Sequence, residues 1–295
     1  GYHIADKLST NLTTKAGVNN PTFLGQNISP DSTIRHDAWG GWSYSTFVSS
    51  ATAGALRPER PLSDAIWDVG WGENEINGWT TGQTYADLTP TQRSHGKTKN
   101  QFYNPASKTF DFSYYMSTYY PAFKPLSEGG ENVNTVFLMC GLNDAGWRTV
   151  DNYGIHLDLM ITNINKIITS IHAFDPSIKI LIYTLVPQMP DQNQIGTIFT
   201  TFAHHERINY VLAIMNKRII DTFDTAGMKS ANVHVLPSAA NFDYRFGMVT
   251  SDTFKPNKFD QTYTETHATN IHPSDTGAEY IADTLYQAIY NLGLE

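Results

Sequence analysis

The chain has 295 residues, 40% apolar and 16% charged, a composition that supports a buried core and excludes the weakly apolar, highly charged make-up of a disordered segment. Its 20 basic and 28 acidic residues leave a net charge of -8, which argues against a phosphate-neutralising surface, and nucleic acid is not an expected partner. The lone cysteine, Cys140, rules out an internal disulfide framework and a cysteine-based zinc cluster, and no apolar stretch reaches the roughly 18 residues of a membrane span.

Residues 1–10 lack the basic segment followed by an apolar one that marks a secretion signal. Ile4 to Leu12 has the spacing of a helix, and Phe23-Leu24 reads as a short strand. From Leu56 to Lys124, Gly, Pro, Trp and Asn occur at loop-like density, with a helix expected at Phe112 to Tyr119. Asn134 to Cys140, bounded by Gly130 and Gly141, reads as a buried strand, with Cys140 inert inside it. Leu157, Met160, Ile161, Ile164, Ile167, Ile168 and Ile171 then fall at three- and four-residue steps, an amphipathic helix ending before Pro176.

Ile178 to Val186 is a second continuous apolar run, closed by Pro187. Phe202 to Phe223 carries another helical stripe, with Gly227 as its expected stop, and Val233 to Leu236 is a third strand. Ala278, Ile281, Ala282, Leu285, Ile289 and Leu292 mark a final helix. This alternation predicts an α/β fold with a parallel sheet covered on both faces, a three-layer α/β/α arrangement. A single domain over residues 1–295 is expected, with an irregular insertion at about residues 55–130 that reads as a substrate-binding lid.

Three segments point to chemistry. The first is Asn270-Ile271-His272-Pro273-Ser274, where a histidine lies just ahead of a helix start. In an open α/β fold that loop belongs at the carboxyl ends of the strands, where a general base would sit. The second is Cys140-Gly141-Leu142-Asn143-Asp144, directly after a strand: the glycine permits a sharp turn, Asn143 can aim its amide into a cleft, and Asp144 would cap the turn. The third is His36-Asp37-Ala38-Trp39-Gly40-Gly41-Trp42-Ser43, whose glycines could present a backbone N–H to an oxyanion.

In this order and on this frame, the three segments resemble the SGNH (GDSL-type) hydrolase family. Gly41, in DAWGGWSYSTF, is similar to the family's glycine block; Asn143, in GLND, to its asparagine block; and His272, in HPSDTGAEYIADTLY, to its histidine block. The resemblance runs from about Gly1 to Leu292. It implies a flavodoxin-like parallel sheet and a serine esterase, with His272 as base and Gly41 and Asn143 as oxyanion donors, and no metal or cofactor. The substrate class it implies is an acylated carbohydrate or other small ester.

Two departures accompany the resemblance. Where the family places an aspartate three residues before the histidine, this chain has Thr269, which can orient the imidazole but carries no charge; Asp252, Asp260 and Glu265 are upstream candidates for the acid. The family's GDS nucleophile block is absent, and Asp31-Ser32-Thr33 lacks a buried strand ahead of it. The expectation is therefore that the central first strand and the serine come from a segment or chain preceding Gly1, with this chain the C-terminal part of a longer polypeptide. The alternative is a non-catalytic glycan-binding or structural module, such as part of a virion tail or fibre. An extracellular or virion-associated location is expected in either case.

The remaining candidates are bland. His204-His205 reads as a solvated helical pair, because adjacent helix residues point to different sides. Asn11-Leu12-Thr13 and Asn27-Ile28-Ser29 have the glycosylation pattern. Trp39, Trp42, Trp67, Trp71 and Trp79 read as core or lid packing, or as a sugar-stacking platform.

Overall fold

The computed structural model describes residues 2–17, 21–25, 27–28, 34–37, 43–49, 52–53, 98–129, 131–146, 153–186, 202–243, 247, 252–254, 265–267 and 273–293. In chain order the elements are α1 (Tyr2–Lys15), β1 (Asn27–Ile28), β2 (Arg35–His36), α2 (Tyr44–Ser49), β3 (Thr52–Ala53), β4 (Thr98–Lys99), β5 (Tyr103–Asn104), β6 (Thr109–Phe110) and α3 (Phe112–Tyr119). A 3-10 turn at Leu126–Glu128 leads to β7 (Thr135–Leu138) and a π-helical turn at Leu142–Gly146. Then come α4 (Tyr153–Phe174), β8 (Lys179–Tyr183), α5 (Phe202–Phe223), α6 (Ala226–Ser230), β9 (Val233–Leu236), β10 (Asp252–Phe254), β11 (Glu265–His267) and α7 (Asp275–Asn291).

β7, β8 and β9 form a parallel sheet in that order, joined through α4 and α5. Helices alternating with parallel strands make this an α/β fold. No described helix is long and apolar enough to cross a membrane.

The described residues fall into two compact units, one of residues 1–2, 22–136 and 158–180, the other of residues 3–21, 137–157 and 181–295. In the first unit, the β5–β6 hairpin pairs Tyr103 with Phe110 and leads into α3, whose N-cap Asp111 accepts the Tyr114 N–H at 2.9 Å. Phe102 stacks on Phe110 and on Tyr115, with ring centroids 5.2 Å and 4.1 Å apart. The Tyr115 hydroxyl donates to Asp37 Oδ2 at 2.5 Å; burial first, then the Asp37 charge, pushes this hydroxyl well above its ordinary pKa, so it stays a donor. On α4, Met160, Ile164, Ile167, Ile168 and Ile171 bury the stripe read from their spacing.

That helix ends at Phe174, where Asp175 precedes Pro176 and is barred from continuing it. The Asp175 carboxylate takes the Leu126 N–H at 2.5 Å, the Ser177 N–H at 2.8 Å and the Ser177 hydroxyl at 2.7 Å. Burial opposes its charge, but these bonds and the nearby His172 outweigh burial and hold the carboxyl below its ordinary value.

In the second unit, α1 buries Ile4, Leu8 and Leu12, one face at four-residue spacing. The adjacent stripe meets α7: Lys7 pairs with Glu279 at 2.5 Å, Lys15 with Asp283 at 2.8 Å, and Asn11 Nδ2 donates to Asp283 at 2.6 Å. The Asn11 amide of the glycosylation pattern is thus engaged by α7. Helices α5, α6 and α7 pack against β9, burying Val211, Met215, Ile219, Val233, Leu236 and Ile281.

Three expectations need correction. Phe23-Leu24 is irregular rather than a strand, because the Tyr120 hydroxyl takes both polar backbone groups of Gly25, at 2.7 Å from its N and 2.6 Å from its O, where a strand partner would have been. The run from Asn134 to Cys140 narrows to β7 and is only half-buried along its length, whereas Ile180 to Tyr183 of β8 is buried on both faces. The reason is position: β8 is the middle strand of the described order and β7 lies at its end. Gly227 does not stop α5, which ends at Phe223; it lies inside α6, where Thr225 Oγ1 accepts the Met228 N–H and starts a new helix.

Candidate active site

In a parallel sheet the carboxyl ends of the strands share one edge, and in the second unit that edge holds three strand exits. β7 leaves through Cys140 and Gly141, whose φ of +124° is open to glycine and strained for other residues. The turn Leu142–Gly146 follows at once, pinned by the Asp144 N–H donating to the Gly141 carbonyl at 2.9 Å. Asn143 lies half-buried on this turn and Asp144 is buried. α5 packs against the turn. Burial first, then the Asp144 charge, pushes the Cys140 thiol above its ordinary pKa and favours the neutral thiol.

β8 leaves through Thr184, Leu185 and Val186, and every one of them is tied down. The Thr184 hydroxyl donates to the Leu236 carbonyl at 2.7 Å and accepts the Ala239 N–H at 3.0 Å, which fastens this exit to that of β9. Leu185 gives its N–H to Asn216 Oδ1 at 2.7 Å and receives Asn216 Nδ2 on its carbonyl at 2.8 Å. The Val186 N–H reaches the Tyr183 hydroxyl at 3.4 Å. β9 leaves through Pro237 to Asn241, where Ser238 Oγ is buried with no hydrogen-bond partner among the described residues and Asn241 Nδ2 donates to Thr284 of α7 at 3.2 Å.

The start of α7 is fixed twice. Ser274 is its N-cap, its hydroxyl accepting the Gly277 N–H at 3.1 Å, and the Ser274 N–H donates to the Gly247 carbonyl at 2.9 Å. The same carbonyl lies so close to Gly277 that a Cβ there would meet it at 1.9 Å. Pro273 and Ser274 are described; His272, Thr269 and Gly41 lie outside the described residues, as do Asp260, Ser32 and the five tryptophans considered above.

Of the upstream acids, Asp252 stands opposite His267 and Glu265 opposite Phe254 in the antiparallel β10–β11 hairpin. Of the sequence candidates, then, Asn143 is the one the structure describes at the shared edge. Asn216 and Thr184 were not singled out from the sequence. The available signal for Asn216 was a polar residue beside the apolar stripe of Leu212, Met215 and Ile219. Among the described residues, no three His, Cys, Asp or Glu side chains gather as a metal site.

No family model matches this chain, and no curated protein matches it. Among solved structures, a candidate platelet activating factor from Streptococcus pneumonia is similar at 16% identity and a TM-score of 0.37, over 55% of this chain and 62% of that one. A possible lipase from Chitinophaga pinensis DSM 2588 is similar at 17% identity and a TM-score of 0.28, over 55% of this chain and 74% of that one. The chain thus spans less than two thirds of the first of these, and likenesses of this size assign neither fold nor activity to it.

Proposed function

We propose that this chain supplies the base and the oxyanion donors of an SGNH-type serine esterase that removes acyl groups, acetyl above all, from a carbohydrate. The observation that carries the reading is Asn143, half-buried on a turn that Gly141 makes possible, at the carboxyl edge of a parallel sheet. A serine from a segment or chain preceding residue 1 attacks the ester carbonyl while His272 takes its proton. The tetrahedral oxyanion is received by the Asn143 amide and the Gly41 N–H. His272 then protonates the leaving sugar oxygen, and water, deprotonated by the same histidine, releases the acid. Thr269 orients the imidazole as a neutral acceptor.

Thr269, in place of a carboxylate, also favours a second reading, a glycan-binding module on the same frame without turnover. Hydrolysis of an aryl acetate by the polypeptide extended through the preceding segment separates the two. Under the esterase reading, His272→Ala abolishes nearly all turnover and Asn143→Ala lowers kcat by about 10²–10³. Turnover that neither substitution affects, or no turnover together with glycan binding, overturns it; robust activity from residues 1–295 alone moves the nucleophile into this chain, with Ser32 the first to mutate.

A further inference from the structure

The grip of Asn216 on Leu185 has the pattern of strand pairing, made by a side chain. Within a ladder, one residue exchanges its N–H and its C=O with a partner; here the carboxamide of a helix residue does so, at 2.7 Å and 2.8 Å. Only Asn and Gln carry an adjacent donor and acceptor suited to this, and Asn has the shorter reach. The contact lies two residues beyond the end of β8, so it extends the hold on this strand past its last backbone pairing. Thr184, one residue earlier, is fastened to the exit of β9 by its hydroxyl. Asn216 therefore ties α5 to the backbone just beyond β8, one residue after the Thr184 bonds to the β9 exit. The same helix packs against the Leu142–Gly146 turn that carries Asn143.

We infer that Asn216 is a positioning residue for the candidate site: by pairing with both backbone groups of Leu185 it sets where α5 sits along β8, and thereby where the turn bearing Asn143 is held. The inference rests on the reading of Asn143 as an oxyanion donor. Asn216 itself touches no reacting atom in this scheme. An oxyanion donor is worth its full effect only when it is aimed at the developing charge, so a small displacement of the turn shows in kcat before it shows in binding.

The test compares Asn216→Ala with the unaltered polypeptide in two ways. By NMR, the Asn143 side-chain amide signals are expected to shift and exchange faster, while the Ser274 and Gly277 amides at the start of α7 keep theirs. In aryl acetate hydrolysis, kcat is expected to fall about 10–100-fold with KM nearly unchanged. In an Asn143→Ala background the same substitution should cost less than about twofold, because the group it positions is already gone. Equal cost in both backgrounds, or unmoved Asn143 signals, overturns the inference.

If Asn216→Ala does not fold, Asn216→Asp carries the same comparison. It keeps the shape and the acceptor for the Leu185 N–H but loses the donor to the Leu185 carbonyl, and unmoved Asn143 signals there are equally decisive against it. Should the unaltered polypeptide hydrolyse no ester, the proposed function fails, and the NMR comparison still decides whether Asn216 holds the turn.

Discussion

Replacing Gly277 by alanine sets two known effects against each other, and the structure decides which wins. In an exposed helix interior the change stabilises by about 0.5–1 kcal/mol, because alanine loses less backbone freedom on folding. At Gly277 the new Cβ would stand 1.9 Å from the Gly247 carbonyl oxygen, 2.9 Å from its carbon and 2.9 Å from Pro273 Cβ. The first distance is more than 1 Å short of any real Cβ contact, and the atom met is backbone, so no side chain can swing away. Either α7 or the Gly247 segment must shift.

That oxygen also accepts the Ser274 N–H at 2.9 Å, so moving it weakens the anchor of the helix start. Overpacking costs about 1–3 kcal/mol and the strained bond about 1 more, against a helix gain below about 1, leaving a net loss of about 2 kcal/mol. Urea denaturation at equilibrium, followed by fluorescence, measures it. Gly154→Ala is the control: it lies on the exposed first turn of α4 with nothing within 4 Å of its Cβ, so it should gain a few tenths of a kcal/mol. If Gly277→Ala is as stable as the unaltered chain, the close approach of Gly247 to α7 is not part of the fold.

Asp175→Ala should cost about 1–3 kcal/mol at pH 7 by removing the charged acceptor of the part-buried Leu126 and Ser177 N–H groups. The folded carboxyl titrates below its ordinary 3.8, so its contribution is present above that value and lost as pH falls beneath it. The gap between variant and parent should therefore narrow between pH 5 and pH 2.5; a gap independent of pH refutes the charge argument. On α1, Leu8→Ala should cost about 2–5 kcal/mol and Lys7→Ala less than about 1, because an exposed ion pair is screened by water while a buried leucine leaves a cavity. Comparable losses would show that the ion pairs, not the Ile4-Leu8-Leu12 face, hold this helix. The half-buried Cys140 thiol should react with a disulfide reagent more slowly in the native chain at pH 8 than in urea, because its raised pKa leaves little thiolate. Equal rates in the native and the unfolded chain would refute the raised pKa.

Much of the helix and strand order was legible along the chain. The stripe from Leu157 to Ile171, the helix at Phe112–Tyr119, the strand at Val233–Leu236 and the helix at Phe202–Phe223 all formed where apolar spacing placed them. Periodicity is a property of contiguous residues, and a helix or strand that can bury one face will do so wherever its partners come from. The turn after β7 was legible for the same local reason: a glycine at Gly141 accepts a backbone angle that other residues resist.

Tertiary structure decided the rest. Val136, Phe137 and Leu138 are as apolar as Ile180 to Ile182, yet only the latter are fully enclosed, because burial depends on what lies either side of a strand. Phe23-Leu24 lost its strand to a tyrosine hydroxyl 95 residues away from Gly25. Asn216 reaches Leu185 across 31 residues, and Thr184 reaches Leu236 across 52. A hydrogen bond is short-ranged in space and indifferent to distance along the chain, so partners such as these leave no periodic trace in the sequence.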